Sequence, residues 1–370
     1  MRRLILILIM LANPVCLAWM PSLARGQQPE PTVEGIIAKW EERQKKVVSA
    51  RFRWNEEQTQ TKGYVSKLLG PRLAGDRTGM VPPEGATAVL PMSLSFDHQM
   101  MRYELRRKEW RYGSWSEYGE LFTFDGKSGK NLRTDPAKSH PVGQIRREDF
   151  HTEISNYYIR AILMTFRPTY PNMAPYRDAS FKLTGRRATI NGRLCHELLA
   201  IPSLDWARSF WVDPSRDWVV LRFMDTSQAG IERWKLDVEY REDADAVFVP
   251  KSWSLISRHS DGSLLLSVRS TVTLAEINPK LALPEFDIDF PPGTFVFDDK
   301  SGGYFIQKQN GETRPVTPNE FTRPYHELVS EPAPSRYARL WSWPVIVGAT
   351  FFMASGLVLL AIRARGKYKG

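Results

Sequence analysis

The sequence predicts an α+β domain: one strongly curved antiparallel sheet with helices covering its concave face, followed by an apolar helix that crosses a membrane. Three observations lead there. Residues 233–241 alternate without a fault, with Trp234, Leu236, Val238 and Tyr240 on one side and Lys235, Asp237 and Glu239 on the other. That period of two marks a strand with one dry and one wet face. Residues 248–258 and the run through Leu264, Leu266, Val268, Val272 and Leu274 continue the meander across a Ser260-Asp261-Gly262 turn, where glycine accepts a positive φ. Along the whole chain, roughly ten strand-like segments stand against two helical ones, and strands in sequential order curl into a single sheet.

Arg2 and Arg3 precede an apolar run, and Ala24-Arg25-Gly26 offers small residues for cleavage, so residues 1–26 read as a secretory signal peptide, with an uncleaved anchor as the alternative. Cys16 follows Asn13-Pro14-Val15, which does not match a lipid-attachment motif. Cys195 is then the single mature cysteine, so no internal disulfide staples the fold and stability rests on the core.

Thr32 opens a helix whose Val33, Ile36, Ile37, Trp40, Gln44 and Val47 fall on one face at helical spacing. Strands follow at 50–55, 93–97, 100–107 and 120–124. Between them, residues 63–91 carry Gly70, Pro71, Gly75, Gly79, Pro82, Pro83 and Gly85 and read as a long loop, either a lid or an unstructured connection. Residues 154–166 form a second helix, apolar on most sides, which predicts burial; Pro168 stops it. Turns at Asp125-Gly126, Asn191-Gly192 and 214–217 punctuate the remaining strands, and residues 288–297 close a domain spanning 31–298.

Residues 299–339 are polar and proline-punctuated and read as a juxtamembrane spacer. Residues 340–362 contain no charged side chain and extend roughly 34 Å as a helix, enough to cross a bilayer. Trp341 and Trp343 stand at the interface position, and Arg363, Arg365, Lys367 and Lys369 follow in the tail, 363–370. This places the tail in the cytoplasm and the main domain on the exported side of a single-pass membrane protein.

The net charge is +10, yet an exported domain does not meet nucleic acid and no recognition motif is present, so nucleic acid is excluded as a partner. Arg102, Arg106 and Arg107, with Lys108 and Arg111, make a basic run that fits anionic headgroups or a solvated strand face. The six histidines fall at no trusted metal-ligand spacing. In Cys195-His196-Glu197 a strand puts His196 on the face opposite the other two, so the three do not act together; the expectation is a buried thiol beside an exposed pair. No nucleophile elbow, phosphate loop or dinucleotide fingerprint occurs. The reading is non-enzymatic, with neither cofactor nor metal.

The informative signal is aromatic. Trp40, Phe52, Trp54, Tyr103, Trp211, Trp234, Leu236, Tyr240 and Trp253 are the candidate lining of an apolar cavity, with core filling as the ordinary alternative.

Residues 31–298 resemble the LolA-like superfamily of bacterial envelope proteins, which includes outer-membrane lipoprotein carriers, mycobacterial lipoproteins and sensor domains of sigma-factor regulators. The likeness is carried by the opening helix with Trp40 running into Ala50-Arg51-Phe52, by Phe210-Trp211-Val212-Asp213-Pro214, by Val249-Pro250-Lys251-Ser252-Trp253, and by the closing Phe286 through Asp289-Phe290-Pro291-Pro292-Gly293-Thr294. It implies an unclosed barrel with helices at its mouth and a cavity for acyl chains or a hydrophobic peptide. The chain departs from the family's soluble shuttles in its C-terminal tether. The expected function is therefore a membrane-anchored cell-envelope protein whose periplasmic or extracytoplasmic domain binds lipid or lipoprotein acyl chains. The alternative is an envelope sensor or interaction module that regulates a membrane protein partner.

Overall fold

A computed structural model describes residues 30–60, 87–111, 114–135, 140–147, 158–168, 180–201, 206–243 and 247–330. The predicted signal peptide, the span at 340–362, the tail and residues 63–86 of the predicted loop lie outside these residues; the rest of that loop, 87–91, is not a loop but the start of a strand, Thr87–Asp97. Among the described residues no helix is long and apolar enough to cross a membrane.

Two antiparallel meanders make the sheet. The first runs β1 (Ser49–Gln60), β2 (Thr87–Asp97), β3 (Met100–Arg111), β4 (Ser114–Phe124), β5 (Ser128–Thr134) and β6 (Val142–Arg147). The second runs β7 (Ser180–Ile190), β8 (Arg193–Ile201), β9 (Trp206–Asp213), β10 (Val219–Ser227), β11 (Glu232–Glu242), β12 (Phe248–Arg258) and β13 (Leu264–Ile277). Pairing of β1 with β13 fuses these thirteen strands into one curved, unclosed sheet, which three further strands at the β6 edge bring to sixteen. Turn chemistry sets the registers: Asn191 and Gly192 both have positive φ, 50° and 75°, as a two-residue hairpin twisted with its strands requires.

Helix α1 (Val33–Lys46) starts where Thr32 Oγ1 accepts a hydrogen bond from the Gly35 amide at 3.0 Å, which satisfies one of the donors a helix N-terminus leaves open. Ile36, Trp40 and Arg43 are its buried side. Helix α2 (Arg160–Phe166) is buried at every residue from Ala161 to Phe166, as its apolar surroundings predict. Both helices lie on the inner face of the sheet.

The sheet does not end at Asp298, as the spacer reading expects. β14 (Phe295–Asp298) pairs with β6 in parallel, and β15 (Gly303–Gln307) and β16 (Thr313–Val316) extend that edge. Helix α3 (Tyr325–Ser330) packs Leu328 against Phe295, Ile306 and Val316. The pattern hid β15 and β16 because they are short, five and four residues. To reach β6 from β13, residues 278–294 cross the outer face. Arg51 pairs with Glu285 at 2.9 Å, Arg102 donates to the Glu285 carbonyl at 3.2 Å, and Lys130 pairs with Asp287 at 2.6 Å. Phe286 and Ile288 are buried beneath this crossing.

Candidate functional site

The inner face is assembled from cross-strand rows. One row reads Val238, Trp253, Ser270, Glu56, Leu90 and the next Leu236, Leu255, Val268, Gln58, Ala88, each residue opposite its neighbour on the adjacent strand. Phe52, Trp54, Tyr103, Leu236, Tyr240 and Trp253 all project to this side and are buried, and Trp234 joins them partly buried. Trp54 meets Trp253 with ring centroids 5.6 Å apart, and Tyr103 stacks on Phe122 at 4.4 Å. Trp40 comes from α1 instead, edge-on to Phe181 at 5.8 Å, its indole donating to the Trp218 carbonyl at 2.7 Å.

Trp211 does not belong with this set. Its neighbour Phe210 faces inward against Phe181 and Phe223, so Trp211 occupies the outer side, opposite Glu197 and near the Arg186 guanidinium at 5.8 Å. Two adjacent aromatics on one strand always divide between faces.

The helices are held to the inner face by two buried arginines that the sequence reading did not single out. Arg43 donates to the Thr165 carbonyl at 2.7 Å and to the Asp217 carbonyl at 2.8 Å. Arg167 donates to the Phe166, Val47 and Val48 carbonyls, each at 2.8 Å, and stacks over Phe96 at 4.1 Å. Val47 ends α1 and Phe166 ends α2, so one guanidinium caps the negative ends of both helices. Tyr240 completes the seam, its hydroxyl 3.1 Å from Thr165 Oγ1 and donating to the Val220 carbonyl at 3.0 Å. Burial pushes the Tyr240 phenol up to about 12, so this hydroxyl keeps its proton.

Beyond Trp54 the inner side of β1 turns polar. Glu56 is fully buried, receives Gln58 Nε2 at 2.5 Å and lies 3.5 Å from Ser270 Oγ. The Trp54 indole N–H, buried between this polar island and the aromatics, has no hydrogen-bond partner among the described residues. A buried donor left unmatched is uncommon and marks where a polar atom of a guest would be favoured. Extending the alternation of Phe52 and Trp54 past Asn55 would have placed Glu56 and Gln58 here.

Of the basic run, Arg102 and Arg106 share the outer face. Arg102 is committed to the Glu285 carbonyl, and Arg106 contacts Glu117 at 3.4 Å beside an open cleft of about 570 Å³. Arg107 holds the alternate position, opposite Tyr118, and its side chain lies outside the described residues. Cys195-His196-Glu197 alternates as expected, but the pair is not exposed. Glu197 is buried and accepts from Thr184 Oγ1 at 2.8 Å and Ser209 Oγ at 2.9 Å, and His196 is only 9% exposed. Burial, reinforced by Asp213, pushes the Cys195 thiol up to about 11, which keeps it an unreactive thiol.

No family model and no curated protein matches the chain. Among solved structures, it is similar to a putative outer membrane lipoprotein-sorting protein domain from Vibrio parahaemolyticus (9% identity, 68% of this chain and 94% of that one, TM-score 0.40). It is also similar to a LolA superfamily protein from Nitrosomonas europaea (12% identity, 70% and 99%, TM-score 0.40) and to a DUF1329 family protein from Desulfovibrio piger (9% identity, 68% and 97%, TM-score 0.41).

Proposed function

We propose that this chain is a non-enzymatic, membrane-anchored cell-envelope protein whose exported domain binds lipid or lipoprotein acyl chains on the inner face of the sheet. One observation carries the reading: the apolar inner face is far wider than the described helices that lie on it. The stretch from β3 to β8 through β1 holds nine neighbouring strands, about 38 Å at the usual strand spacing. Helices of 14 and 7 residues are only about 21 and 10 Å long. A guest acyl chain would lie along Trp54, Trp253 and Leu236, at most 2% exposed as folded, by displacing what covers them, and each methylene moved there from water would contribute about 0.8 kcal/mol. Its polar end would meet the Trp54 N–H and the Glu56–Gln58–Ser270 island.

The anchoring belongs to the same proposal. The signal at 1–26 exports the domain, the span at 340–362 holds it to the membrane, and the basic tail stays in the cytoplasm. Native mass spectrometry and lipid extraction of the full chain, purified in a mild detergent, test the binding. Co-purifying lipid that a spin-labelled fatty acid displaces saturably supports it; a lipid-free chain with no saturable uptake refutes it. Protease access to the tail in sealed vesicles decides the orientation.

A further inference from the structure

A second hollow lies away from the inner-face aromatics, at the edge of the sheet where α1 begins. It measures about 420 Å³, within the range of small-ligand pockets. Its walls are flat and apolar on several sides: Trp218, Pro31 and Pro214, with Leu194 as a lip that is 54% exposed. Its polar groups are Arg187 and His196, opposite each other on β7 and β8, and Glu30 at the lead-in to α1.

The pocket is built rather than incidental. Asp217 and Trp218 both take left-handed backbone, with φ of 55° and 58°, a conformation that costs non-glycine residues free energy and survives only when neighbours enforce it. Here the neighbours are α1 and β9: Arg43 holds the Asp217 carbonyl, Trp40 holds the Trp218 carbonyl, and the Trp218 amide donates to Asp213 O at 3.0 Å. The result stands the Trp218 ring edge-on to His196, centroids 5.8 Å apart. Neither nitrogen of this nine-tenths-buried imidazole has a hydrogen-bond partner among the described residues, and Arg187 has no carboxylate within ion-pair distance there.

We propose that this pocket binds a small monocarboxylate with a flat, apolar body, its carboxylate between Arg187 and His196 and its body against Trp218 and the two prolines. The Glu30 carboxylate at the rim disfavours dianions such as phosphate. The pocket lies at the α1 end of the inner face, apart from the Trp54–Trp253 region where the acyl chain is placed, and stands or falls without it. Burial, and then Arg187, hold the His196 imidazole below its ordinary range; an anion between them reverses the second influence and promotes protonation. The charged groups facing His196 are Arg187 from β7 and Glu30 before α1, while β9 presents Val212. Affinity should therefore rise as pH falls through and below the ordinary histidine value of about 6.5.

The test is calorimetric titration of the full chain in non-ionic detergent with phenylacetate and with phenylacetamide, which keeps the shape and removes the charge. Phenylacetate should saturate and bind at least about tenfold tighter than the amide. Arg187→Ala, a change at an exposed side chain that the fold does not depend on, should abolish that preference, and His196→Gln should flatten the pH dependence. Equal binding of both probes, no saturable binding at millimolar concentration, or an Arg187→Ala protein with its preference intact would overturn the proposal.

Discussion

Beneath α1 and α2 the chain buries a continuous apolar surface drawn from both meanders, with Phe52, Trp54, Phe96, Tyr103, Phe166, Phe210 and Phe223 among its largest members. Around β14–β16 the buried apolar set is Phe295, Ile306, Val316 and Leu328. The first region is stabilised by area and closed by cationic caps on helix ends. The second has little area, and it relies on specific polar ties: Arg314, 3% exposed, on Glu320 at 3.1 Å, and His140 Nε2 at 2.8 Å from the Arg323 carbonyl. Area fails gradually and everywhere, whereas a polar tie fails at one place.

Truncation in the large region should give the largest effect. Phe166→Ala removes a ring that packs on Phe52 at 5.6 Å and Phe96 at 6.3 Å, and should cost about 3–5 kcal/mol of global stability in urea denaturation. In the small region, Arg314→Ala should cost about 3 kcal/mol by leaving Glu320 without its cation. That loss should appear as faster amide exchange in β15 and β16 with β12 unchanged; equal acceleration in all three would erase the distinction between the regions. Burial raises the Glu320 carboxyl, but hydrogen bonds from Thr317 and the Arg314 charge outweigh it and hold it below the usual carboxylate range. A group depressed in the folded state stabilises at neutral pH and loses that contribution as pH falls through its folded value. The same exchange experiment should therefore show β15 and β16 loosening first in acid.

Between the regions stands Gly143 on β6, where an added Cβ would lie 2.7 Å from the Phe290 ring and 2.9 Å from Val296. Gly143→Ala should cost about 1–3 kcal/mol by overpacking and should raise protease sensitivity at residues 290–298. The smallest effect is at the outer end of α1: Thr32→Ala should cost about 1 kcal/mol, read as a small shift in urea midpoint with slope unchanged.

Strand β11 was legible because its alternation is uninterrupted, β12 and β13 because apolar positions flank the Ser260-Asp261-Gly262 turn, and α1 because Thr32 and the Ile36–Trp40 spacing announce it. The polar half of β1 was not, since Glu56 and Gln58 look solvent-facing until the register sets them opposite Ser270 and Val268. Trp211 illustrates a different limit. Phe210 and Trp211 are equally apolar neighbours, and only the pairing with β8 and β10 decides which one turns inward. The carboxylate pocket was unreadable for a third reason: Pro31, Arg187, His196 and Trp218 come from four elements that only tertiary folding juxtaposes. Past Asp298 the apolar positions are too sparse for periodicity to register, although they suffice to build two strands, β15 and β16.

The parallel pairing of β14 with β6 has a consequence for biosynthesis. In the exported chain proposed above, emerging N-terminus first, β6 is complete about 150 residues before its neighbour appears, so one border of the growing sheet stays unpaired while the entire second meander emerges. Bare strand borders recruit other chains. The interval before Phe295–Asp298 emerges is thus the time when nascent copies are most prone to aggregate, and when a chaperone would find the most to shield.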